Sequence, residues 1–580
     1  MLAAIVNALA SFAEITALVA VLIPTLAGWG QFVSRLYGVQ SPSRLSTSSM
    51  WLGFAVILAL VELIHFFRPI DWVISLLVAS VGCSSFFWGF IQAEYATCRA
   101  IADFVRRHWL YVLVGLFFTV IWAFRAMQTP GNFDSGLYHF GSIKWLNEAP
   151  LIPRLANLHM RFGFNQSYFG FLALCNMAPL WNKGYATGGF FLLLLACATL
   201  IELGMAQSKR WRYVFWPCLF VYIATSASVV ENPSPDIAVY LIEIPIFVFL
   251  FRLLQAHDRN QCAQDAVVVM SLCATAITIK LSTVVFASTC GLFALILCCK
   301  HRYLARLTWC VLLSTLVMIV GTHMLRSLLL SGAPFFPNPL LGQWGLPWAV
   351  KPGVAQYESL IIYSWARTPG VLTPYSVLRS WDWFEPWFHG LTRLTRLTFG
   401  VAVLFGSLNV VSLIRRSHHR DITATYWLYV PLVSALVFWF FTAPDPRFLG
   451  AVLPLFLTLA LWQFALNQWG HCVDTGLPRL FKKPAINRVL LVVVGVVMLK
   501  LSGVTTTRFA GWHEIPVAMT TQRLTDFGLA VNIANSYGPC WLASLPCSPY
   551  FDGNLHKVSI TLPHLSTPLA GRYYFSVIPK

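Results

Sequence analysis

The segment Gly131-Asn132-Phe133-Asp134-Ser135-Gly136-Leu137-Tyr138-His139, with Lys144-Trp145 close behind, puts an acid just past the end of an apolar stretch. At a membrane–water boundary such a carboxylate can act as general base toward a lipid-borne substrate. A plainer reading competes with this, because Asp followed by Ser-Gly-Leu-Tyr is also a good helix N-cap. A second acidic group, Glu231-Asn232-Pro233-Ser234-Pro235-Asp236, separates two further apolar stretches, and here too Asp236 suits an N-cap in a turn. Paired carboxylates divide labour well: Asp134 takes a proton, while Asp236 orients an acceptor or joins Asp134 around a divalent cation such as Mg²⁺ or Mn²⁺.

Cations fall at the same level. Lys280 sits in Thr278-Ile279-Lys280-Leu281-Ser282, the polar break in a long apolar run over 265–299. Basic residues end that run on both sides, so Lys280 lies at the far tip of a hairpin. Arg326 lies near the end of the stretch 307–329, and Arg447 follows Ala443-Pro444-Asp445-Pro446. Charges at membrane depth are costly and point to function; three of them together suit a phosphate or pyrophosphate. Snorkelling to headgroups is the rival account, and Arg447 can also pair with Asp445. His139 and His159 are candidates for a metal or sugar, although no His/Cys spacing reads as a zinc site. Trp365-Ala366-Arg367 and the Trp381–Trp387 cluster could stack on a sugar ring, with interfacial anchoring the commoner use of such residues. There is no P-loop, no Gly-x-Gly-x-x-Gly fingerprint and no Gly-x-Ser-x-Gly elbow.

The elements that must position these residues are membrane helices. Of 580 residues, 57% are hydrophobic and only 11% charged, too few charges to cover a water-facing surface. Apolar stretches near 3–27, 50–66, 71–91, 109–127, 185–206, 213–230, 236–254, 265–281, 283–299, 307–329, 398–414, 424–442, 447–466 and 488–504 predict an all-α polytopic membrane protein with about 14 transmembrane helices. Glu14 and the lack of a basic leader make the first stretch a retained helix rather than a cleaved signal.

The net charge of +18 is an orientation signal. Basic clusters at Arg99/Arg106/Arg107, Lys209/Arg210/Arg212, Lys300/Arg302/Arg306, Arg415/Arg416/Arg420 and Arg479/Lys482/Lys483 all fit the cytoplasmic side. No nucleic-acid partner is needed to explain them. Loops 128–184 and 330–397 and a small mixed C-terminal region, 505–580, then face outward. Within the first loop, 167–182 reads as an interfacial or half-inserted helix, since a full span there would put Lys209–Arg212 outside. Most of the 14 cysteines fall within spans; Cys540 and Cys547 are the candidates for a disulfide in an oxidising compartment.

This layout resembles the GT-C superfamily of membrane glycosyltransferases, and Phe133–His139 and the Cys540-Trp541…Pro546-Cys547 tail also look like uncharacterised bacterial multi-pass membrane proteins. The resemblance implies a GT-C-like core over 109–504, preceded by extra N-terminal helices over 1–108. Asp134 then takes the family's catalytic acid position in the first outward loop, as a single acid followed by Ser135, and Asp236 takes the second acid position. It further implies a polyprenyl-phosphate-linked sugar donor and an acceptor glycan, lipid or protein. Asp134 would be the general base of an inverting transfer, and Lys280, Arg447 and Arg326 would hold the donor phosphate. Glu231, His139, Tyr138 and Arg367 complete the expected substrate-binding set. The expected setting is the bacterial inner membrane, with the site facing the periplasm. Two alternatives share the outward site: an O-antigen-type polymerase or ligase relying on Arg367, Arg379, Arg393 and Arg396, and a lipid-linked glycan flippase.

Overall fold

The structure, a computed structural model, describes residues 2–38, 46–91, 105–106, 109–206, 225–255, 258–338, 346, 349–371, 373–415, 425–481, 508–535, 538–559, 573–577 and short pieces between 492 and 500. It is mostly helical. In chain order the helices are α1 (Leu2–Leu36), α2 (Thr47–His65), α3 (Trp72–Ile91), α4 (Trp109–Ala126), α5 (Phe140–Glu148), α6 (Tyr168–Asn176) and α7 (Gly184–Ala206). Then come α8 (Pro235–Gln255), α9 (Arg259–Ile279), α10 (Val284–His301), α11 (Arg306–Ser331), α12 (Pro352–Arg367), α13 (Pro374–Leu378), α14 (Phe384–Gly390), α15 (Arg393–Arg415), α16 (Tyr429–Thr442) and α17 (Val452–Phe481). Eight of them, α1, α2, α7 to α11 and α15, are long and apolar enough to cross a membrane, as an integral membrane protein requires. Shorter apolar helices lie within α3, α4, α16 and α17. The expected spans 213–230 and 488–504 fall largely outside the described residues, as do most of the basic clusters.

Burial sorts the helices into two sets. The apolar residues of α2, α7, α8 and α9 are almost all covered by protein. By contrast α1, α10, α11 and α15 leave large apolar side chains bare, among them Val317, Leu313, Leu397 and Val403. Bare apolar faces of this extent suit hydrocarbon rather than water. Helix α2 packs against α1, α6, α7, α9 and α11, so the N-terminal helices are part of the central bundle and not an appendage beside it.

The long loops are built from short pieces. A π-helical turn spans Ser135–His139 and runs directly into α5, and 3₁₀ turns follow at Leu155–Asn157 and Met160–Phe164. Helix α6 has nine residues, about 13 Å of rise, far short of a span. All nine are buried. The expected interfacial helix at 167–182 is therefore shorter and sits inside the protein, where α2, α5 and α7 cover it. In the expected mixed C-terminal region the described residues form short strands joined by turns. Strands β1 (Thr520–Leu524), β2 (Ala530–Ala534) and β3 (Cys547–Ser548) form one sheet in that order, with β1 antiparallel and β3 parallel to β2. Strands β4 (Leu555–Ser559) and β5 (Tyr573–Val577) pair antiparallel. The Cys540–Cys547 disulfide is formed.

Candidate active site

Asp134 ends the turn after α4. Its own backbone is helical, and its side chain makes no capping bond to the π-helical turn that follows. Asn132 shapes the turn instead, its side chain accepting from the Asp134 amide at 3.0 Å and its carbonyl from the Ser135 amide at 3.0 Å. The N-cap reading of Asp134 thus fails. Its carboxylate is committed elsewhere: Oδ1 accepts from Arg161 Nη1 at 2.6 Å and Oδ2 from Arg447 Nη1 at 3.2 Å.

Asp236 occupies the first turn of α8 but is not its cap either. Ser234 Oγ accepts from the Asp236 amide at 3.3 Å, and the Asp236 carboxylate accepts from Lys280 Nζ. Lys280 itself marks the break between α9 and α10, with extended backbone at the hairpin tip. The ammonium of Lys280 lies 4.2 Å from the centre of the Phe448 ring, and the Arg447 guanidinium lies 4.7 Å from the same ring. Phe448 is thus shared by the two cations, and the residues expected from far-apart loops form one cluster.

The fold places Arg447 by a specific local device. The 3₁₀ turn Pro446–Leu449 is capped by Asp445, whose side chain accepts from the Arg447 amide at 3.0 Å and pairs with its guanidinium at 3.0 Å. The turn ends at Gly450, with φ +57°. A Cβ there would sit 2.2 Å from Glu243 Oε2, so only glycine admits the Glu243 side chain that accepts from the Ala451 amide at 2.6 Å.

Two members of the cluster were not anticipated. Arg161, from the Met160–Phe164 turn, lies between Asp134 and Glu358 of α12, with its Nε 3.5 Å from Glu358 Oε1. Tyr138 supplies a ring 5.6 Å below the guanidinium. Each was visible only as a lone charge in apolar surroundings, Arg161 within Met160-Arg161-Phe162-Gly163-Phe164 and Glu358 as the single acid of 352–367.

Burial and charge act against each other at this site. Burial pushes the Asp134 carboxyl up, but the opposing fields of Arg161, Arg447 and Lys280 outweigh it and hold the group below the usual aspartate range. At Glu358 burial wins over Arg161, and its carboxyl stands above the usual glutamate range. Burial likewise pushes the Tyr138 phenol far up and drops His139 to about 3, so both stay neutral.

The remaining expected residues have their direct partners elsewhere, although His139 lies within electrostatic reach of Asp134 and Asp236. Arg326 does not join the cluster: it bonds Asn165 and lies 3.9 Å from Glu62, which His323 also contacts at 3.1 Å. Arg161, not Arg326, is the third cation of the cluster. Glu231 pairs with Arg125 at 3.0 Å, and neighbouring Asn232 accepts from the Asn132 amide at 3.0 Å, which ties the two loops together. Arg367 donates to the carbonyls of Tyr363, Phe441 and Thr442 and stacks on Trp383, closing the end of α16. His139 is packed against Tyr138 and Phe169, and His159 against Phe162 and Tyr550.

The two aspartates expected around a divalent cation are held by basic side chains in this structure. Asp134 and Asp236 already face a guanidinium pair and an ammonium, which would repel such an ion. Among the described residues no group of three or more His, Cys, Asp or Glu side chains is arranged to hold a metal.

The tail braces the first loop from outside. Its Trp541 amide donates to the Gly136 carbonyl at 2.8 Å, Lys144 donates to the Leu542 and Ala543 carbonyls at 3.1 and 2.8 Å, and the Ser548 hydroxyl donates to the Leu158 carbonyl at 3.1 Å.

Neither a curated protein nor a solved structure matches the chain. One family does, and it covers α2 to α16 and the whole cluster from Asp134 to Arg447. Over residues 15–454 the chain belongs to the family described as Domain of unknown function (DUF8201).

Proposed function

We propose that this protein is a membrane glycosyltransferase of GT-C type, moving a sugar from a polyprenyl-phosphate donor to an acceptor glycan, lipid or protein. The supporting observation is the convergence of Asp134, Asp236, Lys280 and Arg447, joined by Arg161, at the ends of apolar helices. On this reading the core has the GT-C arrangement within about 14 spans. The site faces the periplasm of a bacterial inner membrane.

The donor phosphate, a singly charged phosphodiester, binds where Arg447 and Lys280 flank Phe448, its two free oxygens accepting from both cations at once. As Arg447 turns to the phosphate, Asp134 loses one of its two guanidinium partners and becomes a stronger base. An acceptor hydroxyl then gives its proton to Asp134 while its oxygen forms the bond to the anomeric carbon. The bond from that carbon to the phosphate oxygen breaks, and its electron pair leaves on the polyprenyl phosphate, whose charge Lys280 and Arg447 hold. Attack opposite the leaving group inverts the anomeric centre. Asp236 keeps Lys280 in place.

The polymerase or ligase alternative assigns the chemistry to Arg367, Arg379, Arg393 and Arg396, and of these the Arg367 guanidinium is spent on three backbone carbonyls. The decisive experiment offers the protein in nanodiscs a panel of polyprenyl-phosphate sugars with membrane glycan and lipid acceptors. Asp134→Asn should bind the donor and transfer nothing, whereas Arg367→Lys should still transfer. Wild-type transfer by Asp134→Asn would end the assignment.

A further inference from the structure

Glu358 is a buried carboxylate that the proposed mechanism leaves without a role. It reaches the cluster from α12, part of the second outward loop, while Asp134 and Arg161 belong to the first. Its side chain is only 9% exposed. Its one charged partner among the described residues is Arg161, at 3.5 Å and outside good hydrogen-bond geometry. A carboxylate buried at that cost, against a cation already paired by Asp134 at 2.6 Å, is over-supplied as a structural ion pair.

We propose that Arg161 is the third cation of the anion site and that Glu358 is its built-in competitor, holding the guanidinium while the site is empty and yielding it to an incoming phosphate. The proposal rests on reading the cluster as a phosphate site, and it adds a regulation to that site: anion binding is linked to the charge on Glu358.

The charge environment gives the linkage its sign. Arg161 is faced by Asp134 from the loop, by Tyr138 from the π-helical turn, by Glu358 from α12 and by Tyr550 from the tail, with His159 beside it. Glu358 is faced by Arg161 and, more weakly, by the like charge of Asp134. Ionised Glu358 opposes an anion twice, by occupying Arg161 and by direct repulsion. Protonated Glu358 does neither. Burial lifts its carboxyl above the usual range, so the competitor switches off as pH falls toward that raised value, before Asp134 is protonated.

The test measures equilibrium binding of a C55 polyprenyl phosphate to the full-length protein in zwitterionic nanodiscs, from pH 8 to pH 5. The probe's own titration is common to every variant, so the quantity read is the affinity of a variant relative to wild type. Glu358→Gln should bind roughly three- to tenfold tighter than wild type at pH 8, the scale of one partly screened charge. That advantage should shrink as pH falls. Glu358→Asp should stay close to wild type, and in an Arg161→Ala background Glu358→Gln should change nothing.

Equal or weaker binding by Glu358→Gln at pH 8, or an advantage that persists without Arg161, overturns the proposal. A failure of the underlying reading looks different: wild type then binds no polyprenyl phosphate at any pH, or binds it as well after Lys280→Ala and Arg447→Ala.

Discussion

Trp541 lies flat against Gly136, so close that a Cβ on residue 136 would meet its indole at 2.4 Å, while its amide donates to the Gly136 carbonyl at 2.8 Å. Gly136 is two residues from Asp134, within the π-helical turn. The tail therefore touches the backbone that aims the acid, without touching the acid itself.

Gly136→Ala should push the indole away and loosen this contact. Overpacking of this kind costs about 1–3 kcal/mol. Hydrogen exchange should rise in 131–148 and 538–548, and donor turnover should fall more than donor affinity. Unchanged exchange in both segments would show that the contact does not brace the loop.

The Cys540–Cys547 bond closes a short loop with Trp541 inside it, and Lys144 of α5 holds the same loop by two carbonyls. Cys540→Ser with Cys547→Ser should release the loop at a cost of about 2–3 kcal/mol, felt locally. Exchange should increase there and in α5, while the helical bundle keeps its protection. Mild reductant on the wild type should produce the same pattern.

Asp134, Asp236 and two of the cations were legible in sequence because charge at the end of an apolar stretch is rare and expensive. The partners were not. Asp134 and Arg447 are 313 residues apart, and nothing local tells whether an aspartate before Ser-Gly caps a turn or faces a guanidinium. Arg326 shows the opposite failure. It looked equivalent to Lys280 and Arg447, yet burial beside Glu62, Asn165 and His323 takes it out of the site. The eight long apolar helices were readable from length and hydropathy, and a helix too short to span was readable within 167–182, whereas its close cover by α2, α5 and α7 was not.

Arg326 and Arg447 should separate cleanly when each is replaced by Ala. Removing Arg326 strips a buried partner from Glu62 and should cost about 3–5 kcal/mol of stability, lowering the thermal midpoint. Any surviving folded protein should bind polyprenyl phosphate as wild type does. Removing Arg447, which is 37% exposed, should cost little stability and weaken that binding at least tenfold. Equal losses of phosphate binding would return Arg326 to the site.

Opposite signs of stability change are expected at the two carboxylates around Arg161. Asp134 is held below its usual range by Arg161, Arg447 and Lys280 against the pull of burial, so its contribution is present above the ordinary value near 3.9 and is lost as pH falls through the lower folded value. At pH 7 the contribution is complete, and Asp134→Asn should lower the thermal midpoint by on the order of 2 °C. Glu358 is raised by burial, so its protonated form is the one that favours folding. That contribution is complete below the ordinary value near 4.3 and disappears as pH rises through the higher folded value. At pH 7 the buried charge is a burden, and Glu358→Gln should raise the midpoint by a similar amount. At pH 4 the gain should vanish, because wild type then carries the proton that glutamine imitates. Thermal unfolding of both variants in the same nanodiscs at pH 7 and pH 4 checks the signs, and a destabilised Glu358→Gln at pH 7 would mean that Arg161 rewards the Glu358 charge more than burial penalises it.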